Sequence, residues 1–412
     1  MPYKSERILK ASPLLFIITP QYRPINAGVS NAIFRLSTAL AKAGFNVAIF
    51  TPNIFERTIS LKVGRGLLSI NYIKVLRKTS SSRPWLESDQ LTSTLARAFF
   101  LLKSLIKALK YKGRPILVLG ETLTFSSIIA ILIGKILNTA TLIRAHGSDL
   151  DEALLKGTGS IWNKLCIRLS RMILGTNADY YVKLKALIRS DNRVAILHNV
   201  IEKTVVPYSK EELKRRFNMD RGFHCLVVAR LFWFKGVDIV VEAFKDIVRE
   251  GYSGIYCHIL GDGPLKGELQ RRIFSYGLSK YVKLYGRVPN EMVLQFMKSC
   301  DLFILPSRRE GLSTALLETM AMGMPIVARR VGGNRCVIFD GYNGLLFDPN
   351  DPQGLAAKIL RVYKDHKLRE NLRTNAVLTW RKMFSPNAVI KQLIRCLLYT
   401  SPSPRDLSTS RM

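Results

Sequence analysis

Residues 301–333 read DLFILPSRREGLSTALLETMAMGMPIVARRVGG. The apolar run LFIL stops at Pro306-Ser307 and a charged loop carries Glu310-Gly311. Ser313-Thr314 then opens a helical pattern that holds Glu318 and closes at Gly323, before PIVA starts a second strand. Strand, loop, helix and strand at this spacing predict a βαβ unit in a parallel sheet. Such sheets bind ligands beyond the carboxyl ends of their strands, and helix N-termini draw anions there. Glu310 and Glu318 lie ~10–12 Å apart if most of their separation is helical rise. The sugar and the ribose of a nucleotide-sugar are separated by such a span. Glu310 is expected to accept hydrogen bonds from sugar hydroxyls and Glu318 from ribose hydroxyls. The backbone N–H groups of Gly311, Leu312, Ser313 and Thr314 would face the diphosphate between them. Taken alone, Glu318 reads as an ordinary solvated helix residue.

Upstream, HCLVVA ends at Arg230, and Lys235-Gly236 precedes the helical pattern VDIVVEAFKDIV. A guanidinium that grips two oxygens and an ammonium acting as a point charge, between a strand end and a helix N-terminus, suit a diphosphate. YCHIL runs into Gly261-Asp262-Gly263-Pro264, whose glycines permit close backbone approach. By itself that is a tight turn. Short apolar runs alternate with helical patterns along the rest of the chain. In the first half, strands are expected at 14–19, 47–51, 116–119, 141–145, 172–175 and 194–197. The polar stretch 202–212, interrupted by Pro207, marks the seam between an N-terminal domain over 1–206 and a C-terminal domain over 207–385. The expected fold class is α/β, with two Rossmann-like parallel-sheet domains facing a cleft; 412 residues fit two domains of ~150–200 residues. A short helix is expected over 386–395. Residues 396–412 are expected outside the fold, because CLLYTSPSPRD is, codon for codon, the translation of a transposase-type sequencing adapter.

Lys and Arg number 63 against 30 Asp and Glu, a formal charge of +33. That surplus fits an anionic membrane, nucleic acid, phosphorylated substrates or simply a solvated basic surface. No zinc-finger spacing and no aromatic RNA-binding signature accompanies it, which argues against nucleic acid. The six cysteines form no C-x-x-C pair and no Cys/His cluster, so neither zinc nor structural disulfides are expected, and a reducing cytoplasm is the default. LLFII near the N-terminus lies between Pro13 and Pro20 without a small-residue cleavage site, and reads as a first buried strand rather than a signal peptide. The apolar segment 123–137 falls short of the ~20 residues of a membrane span and contains Lys135, so it reads as a buried helix. In 91–112, Leu91, Leu95, Ala98, Phe99, Leu102, Leu105, Ile106 and Leu109 form one helical stripe, flanked by Lys103, Lys107, Lys110 and Lys112. Two readings fit: a helix lying on the inner face of an anionic membrane, or a core-facing helix with a lysine-rich outer side.

Over 226–350 there follow, in order, Arg230…Lys235-Gly236, GDGP (261–264), PSRREG (306–311), Glu318, GMPIVA (323–328), Gly332-Gly333 and DGYNG (340–344). This ordered set resembles the retaining GT-B enzymes of glycosyltransferase family 4. The first half is similar more loosely. Gly28 opens the helix after the first strand, and HGSD (146–149) follows the strand TLIRA. ILHNVIE keeps Asn199 but has Val200 where the family usually has Gly, and Cys336 stands where the family often has Glu. The resemblance implies a metal-independent hexosyltransferase that moves a sugar from a nucleotide-diphosphate donor to an acceptor hydroxyl with retention of configuration, and needs no further cofactor. It implies catalysis by Arg230, Lys235, Glu310 and His146, with His146 beside the donor sugar. Donor binding would fall to Gly28, Gly261, Gly263, Glu310, Gly311, Leu312, Ser313, Thr314 and Glu318. Arg230 and Lys235 would neutralise charge on the departing diphosphate while the acceptor attacks on the same face.

Asp149-Leu150-Asp151 mimics the metal-binding D-x-D of the other major glycosyltransferase fold. Placed after His146-Gly147, it reads instead as the end of HGSD and a helix N-cap. A nucleotide-sugar 2-epimerase and a non-catalytic relic that binds membrane or nucleic acid would share the fold. The retained set Arg230, Lys235, Glu310 and Glu318 argues against both. The acceptor, lipid-linked or a growing glycan, is not specified by these residues.

Overall fold

The computed structural model describes residues 13–22, 28–53, 57–74, 94–111, 115–146, 161–219 and 221–400. The chain divides into two compact units, one built on residues up to Val200 and again from Pro386, the other on Ile201–Ser385.

The first unit contains β1 (Leu14–Ile18), α1 (Gly28–Lys42), β2 (Asn46–Asn53), β3 (Arg57–Val63), β4 (Gly66–Lys74), α2 (Thr94–Leu109) and β5 (Leu117–Glu121). It continues with α3 (Phe125–Ile136), β6 (Ala140–Ala145), α4 (Ile161–Leu169), β7 (Met172–Gly175), α5 (Ala178–Ile188) and β8 (Val194–Ile196). The sheet order is β3-β4-β2-β1-β5-β6-β7-β8, parallel throughout except for the β3–β4 hairpin. That hairpin has no counterpart among the strands expected from sequence. β3 lies largely exposed at the sheet edge, where burial imposes little hydrophobic pattern. β1 is covered on both faces, which is why LLFII is apolar at every position. Leu15 and Ile17 enter one core layer, and Phe16 and Ile18 the other.

Segment 123–137 forms the short helix α3, and no helix among the described residues is long and apolar enough to cross a membrane. In α2 the side turned into the core is Phe100, Ser104 and Ala108, whereas Leu102 and Leu109 are 56% and 58% exposed. The stripe is divided rather than wholly core-facing: Leu105, with Leu101 beside it, packs against the same core, while Leu102, Ile106 and Leu109 point outward. Leu91 and Lys112 lie outside the described residues.

The second unit contains α6 (Lys210–Arg216), β9 (Phe223–Val228), α7 (Val237–Arg249), β10 (Ile255–Leu260), α8 (Lys266–Ser275), β11 (Val282–Gly286) and α9 (Asn290–Ser299). There follow β12 (Leu302–Leu305), α10 (Thr314–Met322), β13 (Ile326–Arg329), α11 (Asn334–Val337), β14 (Leu345–Phe347), α12 (Pro352–Lys364) and α13 (His366–Met383). Its sheet is wholly parallel, in the order β11-β10-β9-β12-β13-β14. The chain runs outward from β9 to β11, then returns to the other side of β9 as β12. That reversal opens a crevice beyond the carboxyl ends of β9 and β12.

Residues 201–206, on the first domain's side in the sequence reading, belong to this unit. Ile201 N donates to Phe384 O (2.9 Å), Trp380 Nε1 donates to Ile201 O (2.9 Å), and Val206 is buried in the second core. The last described helix, α14 (Pro386–Thr400), returns to the first unit, where Val389, Leu393 and Leu397 pack beneath β1. Cys396 and Leu397 are buried, so the start of the stretch read as an appended tail is part of this helix. Residues 401–412 lie outside the described residues.

Candidate active site

Beyond β9, the segment Ala229–Leu231 crosses directly over the GDGP turn. Gly261 and Gly263 have φ of 146° and 159°. A Cβ on Gly261 would sit 1.8 Å from Ala229 O, and one on Gly263 would sit 2.7 Å from Leu231 O. Only glycine allows that approach. Leu231 N donates to Asp262 O and Leu265 N to Leu231 O, each at 3.0 Å. The turn thus fastens the segment that presents Arg230, whose exposed guanidinium lies 5.6 Å from the centre of the Phe232 ring.

A short 3-10 turn, Trp233–Lys235, ends at Gly236 with φ 64°, where a Cβ would meet Pro306 O at 2.3 Å. Here the loops after β9 and β12 touch backbone to backbone. Across that contact Lys235 Nζ donates to Glu310 Oε2 at 2.6 Å, with both side chains mostly buried. Two groups singled out in the sequence, 75 positions apart, therefore meet at the strand reversal.

The loop is stapled from below by Arg308. Its Nη1 and Nη2 donate to the two carboxylate oxygens of Asp238 at 2.6 Å each, and Nη1 also reaches Trp233 O at 2.7 Å. Asp238 sits in the first turn of α7. Burial would raise its carboxyl, but the hydrogen bonds and charge of Arg308 outweigh that and hold it below its ordinary value. Sequence reasoning missed this pair, because one arginine of Arg308-Arg309 in a basic chain carries no distinguishing signal. On the other side, Gly332 (φ 44°) leaves 2.1 Å between a would-be Cβ and Glu310 O, and Gly333 N donates to that oxygen at 3.0 Å. The Gly-Gly pair sets the backbone of Glu310.

From Glu310 the chain runs through Gly311 and Leu312 to Ser313, which caps α10 by accepting from Leu316 N at 3.4 Å. The first N–H groups of any helix have no intrahelical acceptor, and Thr314 begins this one. Glu318, half-buried, lies one turn further along α10. DGYNG is a brace: Asn343 is fully buried and donates to Val337 O and Thr379 Oγ1, and Asp340 Oδ1 accepts from Leu346 N.

In the first unit Gly28 is the first residue of α1, and His146 follows β6. Gly147, Ser148 and Asp149 lie outside the described residues. His146 Nε2 lies 2.7 Å from Glu121 Oε2, which also accepts from Arg144 Nε at 3.0 Å, and Glu121 Oε1 is 2.9 Å from Arg144 Nη2. Glu121 and Arg144 are fully buried. Burial would raise the Glu121 carboxyl, yet the Arg144 charge and the His146 hydrogen bond together keep it below its ordinary value. An ionised Glu121 only accepts, so His146 Nε2 carries the hydrogen, and in the neutral ring Nδ1 is the accepting atom. Glu121 and Arg144 were not singled out in the sequence, since their link runs between neighbouring strands. Val200, standing where glycine is usual, is fully buried in the first core.

Residues 209–378 match the family of glycosyl transferases group 1. The matched stretch takes in most of the second unit. An uncharacterized glycosyltransferase of Methanocaldococcus jannaschii is 30% identical over 240 residues, covering 57% of this chain and 61% of that protein. The amylovoran biosynthesis glycosyltransferase AmsK of Erwinia amylovora is 34% identical over 170 residues, 40% of this chain and 41% of its own. The chain thus matches less than two thirds of the length of these relatives. Among solved structures, Anabaena HepE in complex with UDP superposes with a TM-score of 0.70 at 16% identity, covering 94% of this chain and 99% of that one. At that identity the likeness is one of fold, the two-sheet GT-B fold expected above. The matched stretch contains every second-unit residue named for donor binding, from Arg230 to Glu318.

Proposed function

We propose that this chain is a retaining, metal-independent glycosyltransferase that moves a hexose-type sugar from a nucleoside-diphosphate sugar to an acceptor hydroxyl. The observation that carries the reading is the Lys235–Glu310 contact at the β9–β12 reversal, inside the matched stretch. An ammonium held there on a carboxylate, with an exposed guanidinium on the neighbouring segment, opposes the charge that develops on a departing diphosphate. The donor's phosphate oxygen then takes the acceptor proton, so no side-chain nucleophile is needed. Glu310 serves the sugar hydroxyls, Glu318 the ribose, and the N-terminus of α10 the phosphates. His146, its tautomer held by Glu121, contributes an acceptor nitrogen toward the sugar. The UDP bound in the HepE structure supports a UDP-type donor, and the amylovoran relative supports a glycan product.

We also place the enzyme at the inner face of an anionic membrane, acting on a lipid-linked acceptor. The outward row Leu102, Ile106 and Leu109 on α2 supports this. So does the charge of the helices on that side of the sheet: α2 carries three cations, α3 one, α4 two and α5 two, against the single acid Asp179. Each lysine or arginine near such a surface adds ~1 kcal/mol of attraction.

The test is transfer of label from radiolabelled UDP-, GDP- and ADP-sugars to an added membrane extract. Wild type should move label from one of them, and Lys235→Ala should lose on the order of 10²–10³-fold in turnover. Label that stays on the nucleotide but changes epimer would establish the epimerase instead. No turnover of any donor, or an unaffected Lys235→Ala, defeats the reading.

A further inference from the structure

At the opposite edge of the second sheet, where β12 and β13 begin, lies a cavity of about 490 Å³. Its floor is apolar and sulfur-rich, from Met297, Met322 and Met324, and its walls are basic. An adjoining depression shares Lys210, Asp301, Arg369 and Glu370 and adds Lys214 and His366. The two acids are already engaged. Asp301 pairs with Lys210 at 2.8 Å and Lys214 at 3.3 Å, and accepts from His224 N at 3.0 Å. Glu370 pairs with Arg373 at 3.0 Å. Lys203, Lys298 and Arg369 form no ion pair with a carboxylate among the described residues. Lys298 donates to Val206 O, and Arg369 to the carbonyls of Val362 and Tyr363. A cavity of this size with surplus guanidinium and ammonium donors above an apolar floor suits a compact organic body bearing a multiply charged anion.

The cavity is also joined to the donor loop by one short rigid element. α10 starts at Thr314, next to Glu310–Ser313, and ends at Met322; nine residues of helix span ~13 Å. Met322, Gly323 and Met324 line the cavity. Gly323 closes the helix with φ 69°, and its carbonyl accepts from Arg373 Nε at 3.0 Å. Arg373 is therefore both a wall of the cavity and the cation at the negative end of α10. An anion drawing on Arg373 competes with Gly323 O and Glu370 for the same donors.

We propose that this cavity is a second anion site, for a phosphate monoester, and that its occupancy is read through Arg373 and α10 as weaker donor binding. The site stands independently of the catalytic reading; the coupling rests on Glu310–Thr314 and Glu318 binding donor. Free sugar or polyol phosphates and the phosphate headgroup of a lipid share this chemistry, and the experiment separates them.

Full-length protein is titrated with glycerol 3-phosphate by calorimetry, and in parallel with phosphatidic acid or phosphatidylcholine vesicles. Saturable binding of either phosphate, retained in Lys235→Ala and weakened about tenfold in Lys203→Gln/Lys298→Gln, is the expected result. Exposed Lys203→Glu alone serves as the milder variant and should weaken binding in the same direction. Binding of glycerol 3-phosphate assigns a soluble ligand, and binding of phosphatidic acid vesicles alone, weakened by Lys203→Gln/Lys298→Gln, assigns a lipid headgroup. Vesicle binding indifferent to those two changes but lost on charge reversal at Lys103, Lys107 and Lys110 belongs to α2 and overturns the site. Saturation should lower UDP affinity about fivefold or more in wild type but not in Arg373→Lys, which keeps the charge and loses the fork. No binding of either phosphate up to about 10 mM overturns the site. Binding abolished by Lys235→Ala but indifferent to the Lys203 and Lys298 changes places the probe in the donor site and equally overturns it. Phosphate binding that leaves UDP affinity unmoved overturns the coupling.

Discussion

Three adjacent strands of the second unit carry a hydrogen-bond chain whose direction is fixed by its last acceptor. His224 Nε2 lies 3.0 Å from Arg221 O, a carbonyl that only accepts, so Nε2 holds the hydrogen and Nδ1 is bare. That nitrogen accepts from His258 Nε2 at 3.0 Å, which leaves His258 Nδ1 to accept from Tyr285 Oη at 2.9 Å. Both rings are neutral; a further proton on His224 sets N–H against the His258 N–H, and one on His258 obliges the Tyr285 hydroxyl to turn from donor to acceptor. Burial first, then the cost of placing a second positive charge beside His224 and Lys283, pushes His258 from 6.5 down to about 3. Because the folded value lies below the unfolded one, the contribution to stability is complete above 6.5 and is lost progressively as pH falls toward 3. At about pH 5 the unfolded chain has taken up the proton that the fold refuses, a loss of about 2 kcal/mol relative to about pH 7.5. Hydrogen exchange of β9–β11 peptides, corrected for the intrinsic pH dependence of exchange, reads this opening free energy. His258→Gln should be less stable near neutrality but should lose about 2 kcal/mol less on acidification. Equal losses in the two proteins would refute the argument.

Glu318→Ala should weaken binding of bare UDP, whereas Glu310→Ala should leave it nearly intact and abolish transfer; the opposite pattern in calorimetry removes the division of roles. Gly332→Ala puts a Cβ 2.1 Å from Glu310 O. It should destabilise by ~1–3 kcal/mol and lower turnover more than it raises KM, as a shifted Glu310 backbone requires. Wild type should sediment with anionic but not neutral vesicles and release as salt rises. Charge reversal at Lys103, Lys107 and Lys110 should weaken this without altering UDP affinity. Indifference of wild type to anionic vesicles at low salt would leave α2 without a membrane role.

The second unit was readable because buried parallel strands and glycine turns write themselves in residue types. LFIL has no polar residue and YCHIL and HCLVVA are otherwise apolar around His258 and His224, and Gly261, Gly263 and Gly332 stand where another backbone passes within van der Waals distance. The Lys235–Glu310 meeting follows from strand order, which residue types alone do not declare. What remained hidden depends on partners rather than on types. Arg308 is one arginine among many until Asp238 is seen opposite it, and Glu121 is a lone acid until two neighbouring strands bring Arg144 and His146 to it. The β3–β4 hairpin escaped because an exposed edge needs no apolar period. The α2 stripe was visible, but periodicity states only that a row exists, not which way it faces.

The return of α14 to the first unit has consequences for the order of synthesis. Leu15 and Ile17 emerge from the ribosome early, yet Val389, Leu393 and Leu397, which close over their layer, emerge after the whole of Ile201–Ser385. At ~5–20 residues per second, making Ile201–Ser385 alone takes about 10–40 s. During that interval the first sheet carries a partly uncovered apolar face, and by its end the second unit has every strand it needs. The ends of that second unit are tied together by the bonds between Ile201 and Phe384 and between Trp380 and Ile201, so it can close as a loop before its host is finished. Nascent chains are therefore most exposed to aggregation and chaperone capture through the first sheet, and the helix that ends the exposure is the last one made among those described.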